Sequence, residues 1–206
     1  MPKEATRVDV DELVSRLVAR PARDDTDSRI LAAAGEVLMG EGLAGLEVDE
    51  VAARSGIGRS TVYRRFGDRN GLIAAALAHE VRRLFSVLAD AVADERSNED
   101  QVVAAFCAGL RLAEATGLTS LVRTDPHLLR LLTVDAEPVV AAARDQLTLL
   151  ALAQDPGRDA VVAARSAELL VRLAISFVVT PGSVLDVSGP GCEAAVRRHI
   201  APLITA

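Results

Sequence analysis

The chain has 206 residues, 50% of them hydrophobic and 25% charged, with 29 Asp and Glu against 23 Lys and Arg, a formal net charge of −6 and five aromatic rings. That composition excludes a disordered, fibrous or collagen-like chain. No apolar run reaches the roughly 18 residues that a bilayer span needs, because Arg172 and Pro181-Gly182 break the longest ones, so no membrane partner is expected. An acidic average argues mildly against nucleic acid as a partner, and its distribution along the chain reverses that argument.

Apolar residues recur at three- and four-residue spacings almost throughout, and strand-type alternation is nearly absent, so the fold class is all-α. Residues 1–27 read as an N-terminal arm with a short amphipathic helix through Val10, Leu13, Val14 and Leu17 that stops at Pro21. The acidic run Asp24, Asp25, Asp27 supplies a cap and negative charge for the next helix. That helix is predicted from Ser28 to Gly40, with Ile30, Ala34, Val37 and Leu38 on one face and Gly40 and Gly42 closing it.

Short helices follow over Val48–Ser55 and Arg59–Phe66, separated by Gly56-Ile57-Gly58. A long helix runs from about Asn70 to about Asp94. Five more are expected over roughly 99–116, 118–132, 136–154, 157–180 and 190–204. Gly117, Asp125-Pro126, Asp155-Pro156-Gly157 and the loop 181–191 punctuate them.

The segment VDEVAARSGIGRSTVYRRFGDR, residues 48–69, carries the partner prediction. Two short helices joined by a tight glycine turn match the helix-turn-helix, whose second helix enters the DNA major groove. Val51, Ile57 and Val62 are placed to meet where the helices cross, and Gly56 suits the positive φ of the turn. Arg59, Ser60, Thr61, Tyr63, Arg64 and Arg65 are left pointing outward as phosphate and base-edge donors. Residues 52–69 hold five arginines, Arg54, Arg59, Arg64, Arg65 and Arg69, against Asp68 alone. The segment is therefore +4 and the rest of the chain −10.

From Ile30 to Leu77 the sequence resembles the TetR family of bacterial transcriptional regulators, on the run Ser60-Thr61-Val62-Tyr63-Arg64-Arg65-Phe66 followed by Arg69. The resemblance implies a homodimer with two N-terminal DNA-binding heads and two helical bodies, each holding a small-molecule effector. Carried over by position, Thr61, Tyr63 and Arg69 contact phosphates, Arg59, Ser60 and Arg64 face base edges or adjacent backbone, and Phe66 belongs to the head core. Glu47 departs from the family's Ser or Thr at the start of the second helix, and Gly58 from its Ser at the start of the third. The implied division is an arm over 1–27, a DNA-binding domain over 28–73 and a ligand-binding and dimerisation domain over 74–206.

Within the body, Phe85, Phe106 and Phe177 are the only rings outside the head, each in a Leu/Val/Ala helix. With Leu88, Leu110, Leu128 and Leu147 they are candidates for lining an effector site, and a body so poor in aromatics favours an aliphatic or amphipathic molecule over a flat aromatic one. Arg172 interrupts an apolar run, so a buried charge paired with Glu168 or gripping a polar ligand head is expected there, with Ser176 nearby. Apolar stripes through Val162, Leu169 and Leu173 and through Cys192, Val196, Ile200 and Leu203 are candidates for a four-helix dimer interface.

Cys107 and Cys192 stand apart from any CxxC or Cys/His spacing and read as small, reduced core residues of a cytoplasmic protein. His79, His127 and His199 have no second ligand at helical spacing, so neither metal nor cofactor is expected. No nucleophile–base–acid grouping or phosphate loop is recognisable, so no catalytic residue is expected.

The reading that results is a ligand-responsive repressor on palindromic double-stranded DNA, released when an effector shifts the long helix and with it the spacing of the heads. An activator, a regulator without a ligand, and a helical small-molecule-binding protein with a vestigial head are the alternatives.

Overall fold

The computed structural model describes residues 24–205, which leaves the helix expected through Val10–Leu17 and the rest of residues 1–23 outside the described residues. Among the described residues all regular structure is helical: α1 (Asp25–Gly45), α2 (Val48–Ser55), α3 (Arg59–Phe66), α4 (Arg69–Val92), α5 (Asn98–Ala115), α6 (Leu118–Thr124), α7 (Pro126–Leu132), α8 (Glu137–Gln154), α9 (Ala160–Val179), α10 (Cys192–His199) and α11 (Ala201–Thr205). No single helix among them is long and apolar enough to cross a membrane. The chain divides into two compact units, one made of residues up to Arg82 together with Arg123–Pro138, the other of Arg83–Val122 and Val139 onward.

In the first unit, α1 begins at Asp24, whose carboxylate accepts the Asp27 N–H at 3.0 Å. Asp25 and Asp27 in its first turn complement the helix dipole. Ile30, Ala34, Val37 and Leu38 form its buried stripe, at most 1% exposed. The helix does not end at Gly40–Gly42. Gly42 takes φ 73 and kinks it, and a last turn continues to Gly45. Two side chains distant in sequence hold that turn: Asp125 accepts the Leu43 N–H at 3.0 Å, and Arg69 donates to the Leu43 carbonyl at 2.7 Å.

α2 and α3 occupy the ranges expected from the sequence, and Gly56 makes the turn between them at φ 67. Val51 and Val62 are buried to within 1% at the crossing, Ala52 and Phe66 are nearly so, and Ile57 is half-buried.

In the second unit α5 is the hub, packed against α9, α10 and α11. The predicted 118–132 helix is divided at Asp125, which caps α7 by accepting the His127 and Leu128 N–H groups. The predicted 190–204 helix is divided at Ile200.

Cys107 and Cys192 are not free thiols: they form a disulfide joining α5 to the start of α10, with Cα atoms 6.0 Å apart. Linear spacing hid this pair because 85 residues separate the two positions and only the packing of α10 on α5 brings them together.

Candidate nucleic-acid interface and body cavity

α3 is a poor helix in isolation, eight residues long with no side-chain N-cap, and Gly58 supplies only its carbonyl to the Thr61 and Val62 N–H groups. Its placement comes from Val62 and Phe66, which bury one face in the head core. The opposite face presents Ser60, Tyr63 and Arg64 to solvent, with Thr61 half-buried beside them and Tyr63 45% exposed.

The five arginines of the basic segment divide sharply. Arg54 pairs with Glu50 and Glu41, both at 2.6 Å. Arg59 pairs with Asp49 at 2.6 Å, both side chains 61% exposed, so this ion pair is weak and open to competition from phosphate. Arg65 turns away from solvent and donates to Asp24 and Asp27, each at 2.7 Å. Those two carboxylates, Asp27 first, push its guanidinium further up from its ordinary range. Arg69 donates to the Leu43 and Ala44 carbonyls and lies 3.3 Å from Glu47. Arg64 makes no ion pair among the described residues.

The local +4 is therefore largely answered by Asp24, Asp27, Glu41, Glu47, Asp49 and Glu50, all of them outside the 18-residue window. Arg65 and Arg69, grouped by sequence with the DNA-facing residues, tie α3 and the start of α4 to the two ends of α1. Glu47 does not cap α2 but stands against Arg69, which offsets its charge. Arg29, which the linear pattern did not single out, donates to the Ser55 carbonyl at 2.8 Å and so satisfies the end of α2 just before the turn.

The second unit contains a cavity of about 610 Å³, within the range of small-molecule sites. Among the candidate effector residues only Leu147 lines it, joined by Val162 from the candidate dimer stripe. Leu88 packs against Val92 and Ala105, which line it, and Phe85 lies against that cluster. Phe106 and Phe177 meet edge to face at 5.9 Å and fill the core, as does the buried Leu110. Leu128 belongs to the first unit.

Arg172 is not buried. It pairs with Glu168 at 2.8 Å on an exposed face, and Ser176 is exposed too. The partner expected for Arg172 is correct and the burial is not, because α9 turns this side outward. The last-helix stripe also divides: Cys192, Val196 and Ile200 are at most 3% exposed inside the unit, whereas Leu203 is 66% exposed. On α9, Val162 and Leu169 are half exposed and Leu173 is partly covered.

Residues 30–76 match the family profile described as bacterial regulatory proteins of the tetR family, and residues 95–196 match that of the bacterial tetracyclin repressor C-terminal domain. The chain is 28% identical to the HTH-type transcriptional regulator AlkX of Mycobacterium tuberculosis, over 85% of its own length and 82% of the relative's. It is equally similar to an uncharacterized HTH-type regulator of the same species, over 86% and 84%. Among solved structures it is similar to the TetR family repressor AlkX of a Dietzia species, described as implicated in biodegradation of n-alkanes. The TM-score is 0.68 at 21% identity, over 90% of this chain and 98% of that one. A TetR-like regulator from a Rhodococcus species gives a TM-score of 0.51 at 22% identity, over 88% and 99%.

Proposed function

This chain belongs to the TetR family of transcriptional regulators, and from that premise we propose that it is a cytoplasmic repressor that binds a palindromic operator as a homodimer and leaves it when the body takes up a small aliphatic or amphipathic molecule. The observation that carries the DNA half of this reading is the outward face of α3. Arg64 and Tyr63 stand exposed beside Ser60 and Thr61, while Arg65 and Arg69 are occupied in holding the helix in place. A rigidly anchored helix whose exposed Arg64 makes no ion pair among the described residues suits insertion into a major groove. Arg59 adds a phosphate donor by exchanging Asp49 for the DNA backbone.

Dimerisation is supported by the exposed apolar residues Val161, Val162 and Leu169 on α9 and Leu203 on α11. Release on effector binding is supported by α4, a single helix from Arg69 to Val92 whose last residue lines the cavity. An effector that displaces α4 shifts the end of α1 that Arg69 braces through the Leu43 and Ala44 carbonyls, and phosphate contacts fix the register of the heads. The same coupling requires DNA to weaken effector binding by an equal factor.

The test is a gel shift with DNA flanking the chain's own gene. Binding by the parent and loss of binding in Tyr63→Ala and Arg64→Ala support the reading; equal binding by parent and variants overturns it.

A further inference from the structure

The cavity of the second unit is lined by apolar and polar groups in nearly equal measure. Val102, Ala105, Leu150, Ala167 and Leu170 contribute to its lining. Among its polar lining residues, Arg158 has a side chain that is 16% exposed. It donates through Nη1 to the Asn98 Oδ1 at 3.0 Å and through Nη2 to the Gln101 Oε1 at 3.1 Å. Asp155 lies 3.9 Å from its Nε, beyond hydrogen-bond length, and spends one carboxylate oxygen on the Gly157 N–H at 3.0 Å.

The guanidinium is thus held in place by two neutral amide oxygens, with N–H donors left over, and its ion pair among the described residues is the long one to Asp155. An arginine pre-oriented in this way is an acceptor-binding group, and its planar fork matches a carboxylate best. Glu95 and Arg96 also line the cavity, so with Asp155 and Arg158 its charged groups balance in sign.

We propose that Arg158, oriented by Asn98 and Gln101, binds the carboxylate of a straight-chain aliphatic acid whose tail fills the cavity between α5, α8 and α9. The proposal rests on reading the body as the effector-binding part of a regulator, and it names the headgroup and the residue that receives it.

The experiment uses the full chain, with sodium decanoate, 1-decanol and sodium octanoate as probes in calorimetric titration and thermal melting. Decanoate binds and raises the melting temperature. Decanoate binds about fifteenfold tighter than octanoate, since each buried methylene contributes about a fourfold gain. Decanol binds more weakly by about tenfold or more, the worth of a hydrogen bond to a charged group. Arg158→Gln loses that margin for decanoate and leaves decanol binding as it was, while Ala105→Phe, which fills the cavity, weakens both.

Decanol binding as tightly as decanoate to the parent overturns the proposal whether or not the Arg158 variant folds, and so does unchanged decanoate binding in Arg158→Gln. Failure of every aliphatic probe to bind also overturns it. The regulator reading is scored apart from these outcomes, by the operator gel shift of the parent against Arg64→Ala.

Discussion

The carboxylate of Asp125 accepts the backbone N–H of Leu43 at 3.0 Å across 82 residues of sequence, and both groups are buried. Its other oxygen caps α7 through the His127 and Leu128 N–H groups. The Gly42 kink frees the Leu43 N–H from the helical ladder, and one aspartate satisfies that donor and a helix start together.

Asp125→Ala removes the cap and leaves a buried amide unpaired, which costs about 2–4 kcal/mol in denaturant unfolding. Asp125→Asn keeps one acceptor and loses less. Leu43 amide exchange, followed by NMR, accelerates in both variants; unchanged protection in Asp125→Ala refutes the assigned bond.

Arg64 and Arg65 are neighbours with opposite expected phenotypes. Arg64→Ala lowers operator affinity by about fivefold to a hundredfold without moving the melting temperature, since its side chain makes no ion pair among the described residues. Arg65→Ala lowers the melting temperature, because it leaves the buried Asp27 without its guanidinium. Gel shifts and thermal melts on the two variants separate the roles, and a reversed pattern contradicts the geometry.

Three carboxylates at helix starts are held below their ordinary value of 3.8: Asp24 chiefly by the Asp27 N–H and then by Arg65, Asp100 by Ser97 and then Arg197, and Asp159 by the Val162 and Val161 N–H groups. A folded-state value below the unfolded one stabilises the fold above the unfolded value, and that contribution is lost as pH falls through the folded one. Stability is therefore flat in these groups near neutrality and declines as the solution is acidified below about pH 4. Denaturant titrations in that range show a shallower decline for Asp24→Asn than for the parent.

The Cys107–Cys192 bond closes a long loop. In the chain-entropy account its loss costs on the order of 4 kcal/mol, so dithiothreitol lowers the melting temperature. Cys192→Ser melts at the reduced temperature with or without the reductant. Titration of two free thiols in the denatured, unreduced protein argues against the bond.

Leu169 is half exposed on the α9 face assigned to self-association. Leu169→Glu shifts the light-scattering mass from dimer to monomer, with the helical circular dichroism retained. A dimer unaffected by that charge places the interface elsewhere.

Wherever the physics is local, the linear chain was legible. The bounds of α2 and α3 follow from apolar spacing of three and four and from Gly56, whose φ of 67 few other residues adopt cheaply. Asp24 as a cap, Asp125-Pro126 as a break and the Arg172–Glu168 pair are likewise interactions of neighbours within a helical turn or two. So is the outward set Ser60, Tyr63 and Arg64, which follows once Val62 and Phe66 face the core.

Through-space pairing settled the rest. The charge of the 52–69 segment was counted along the chain, but Arg65 finds carboxylates 41 and 38 residues away and Arg69 finds a carbonyl 26 residues away, so two of its five arginines became internal bracing. Val196 and Ile200 share their apolar character with Leu203, and only the packing of α10 and α11 on α5 turned the first two inward and left the third outside. Arg158, Asn98 and Gln101 carried no signal in sequence order, because an oriented guanidinium exists only once a loop and a helix some 60 residues apart have met.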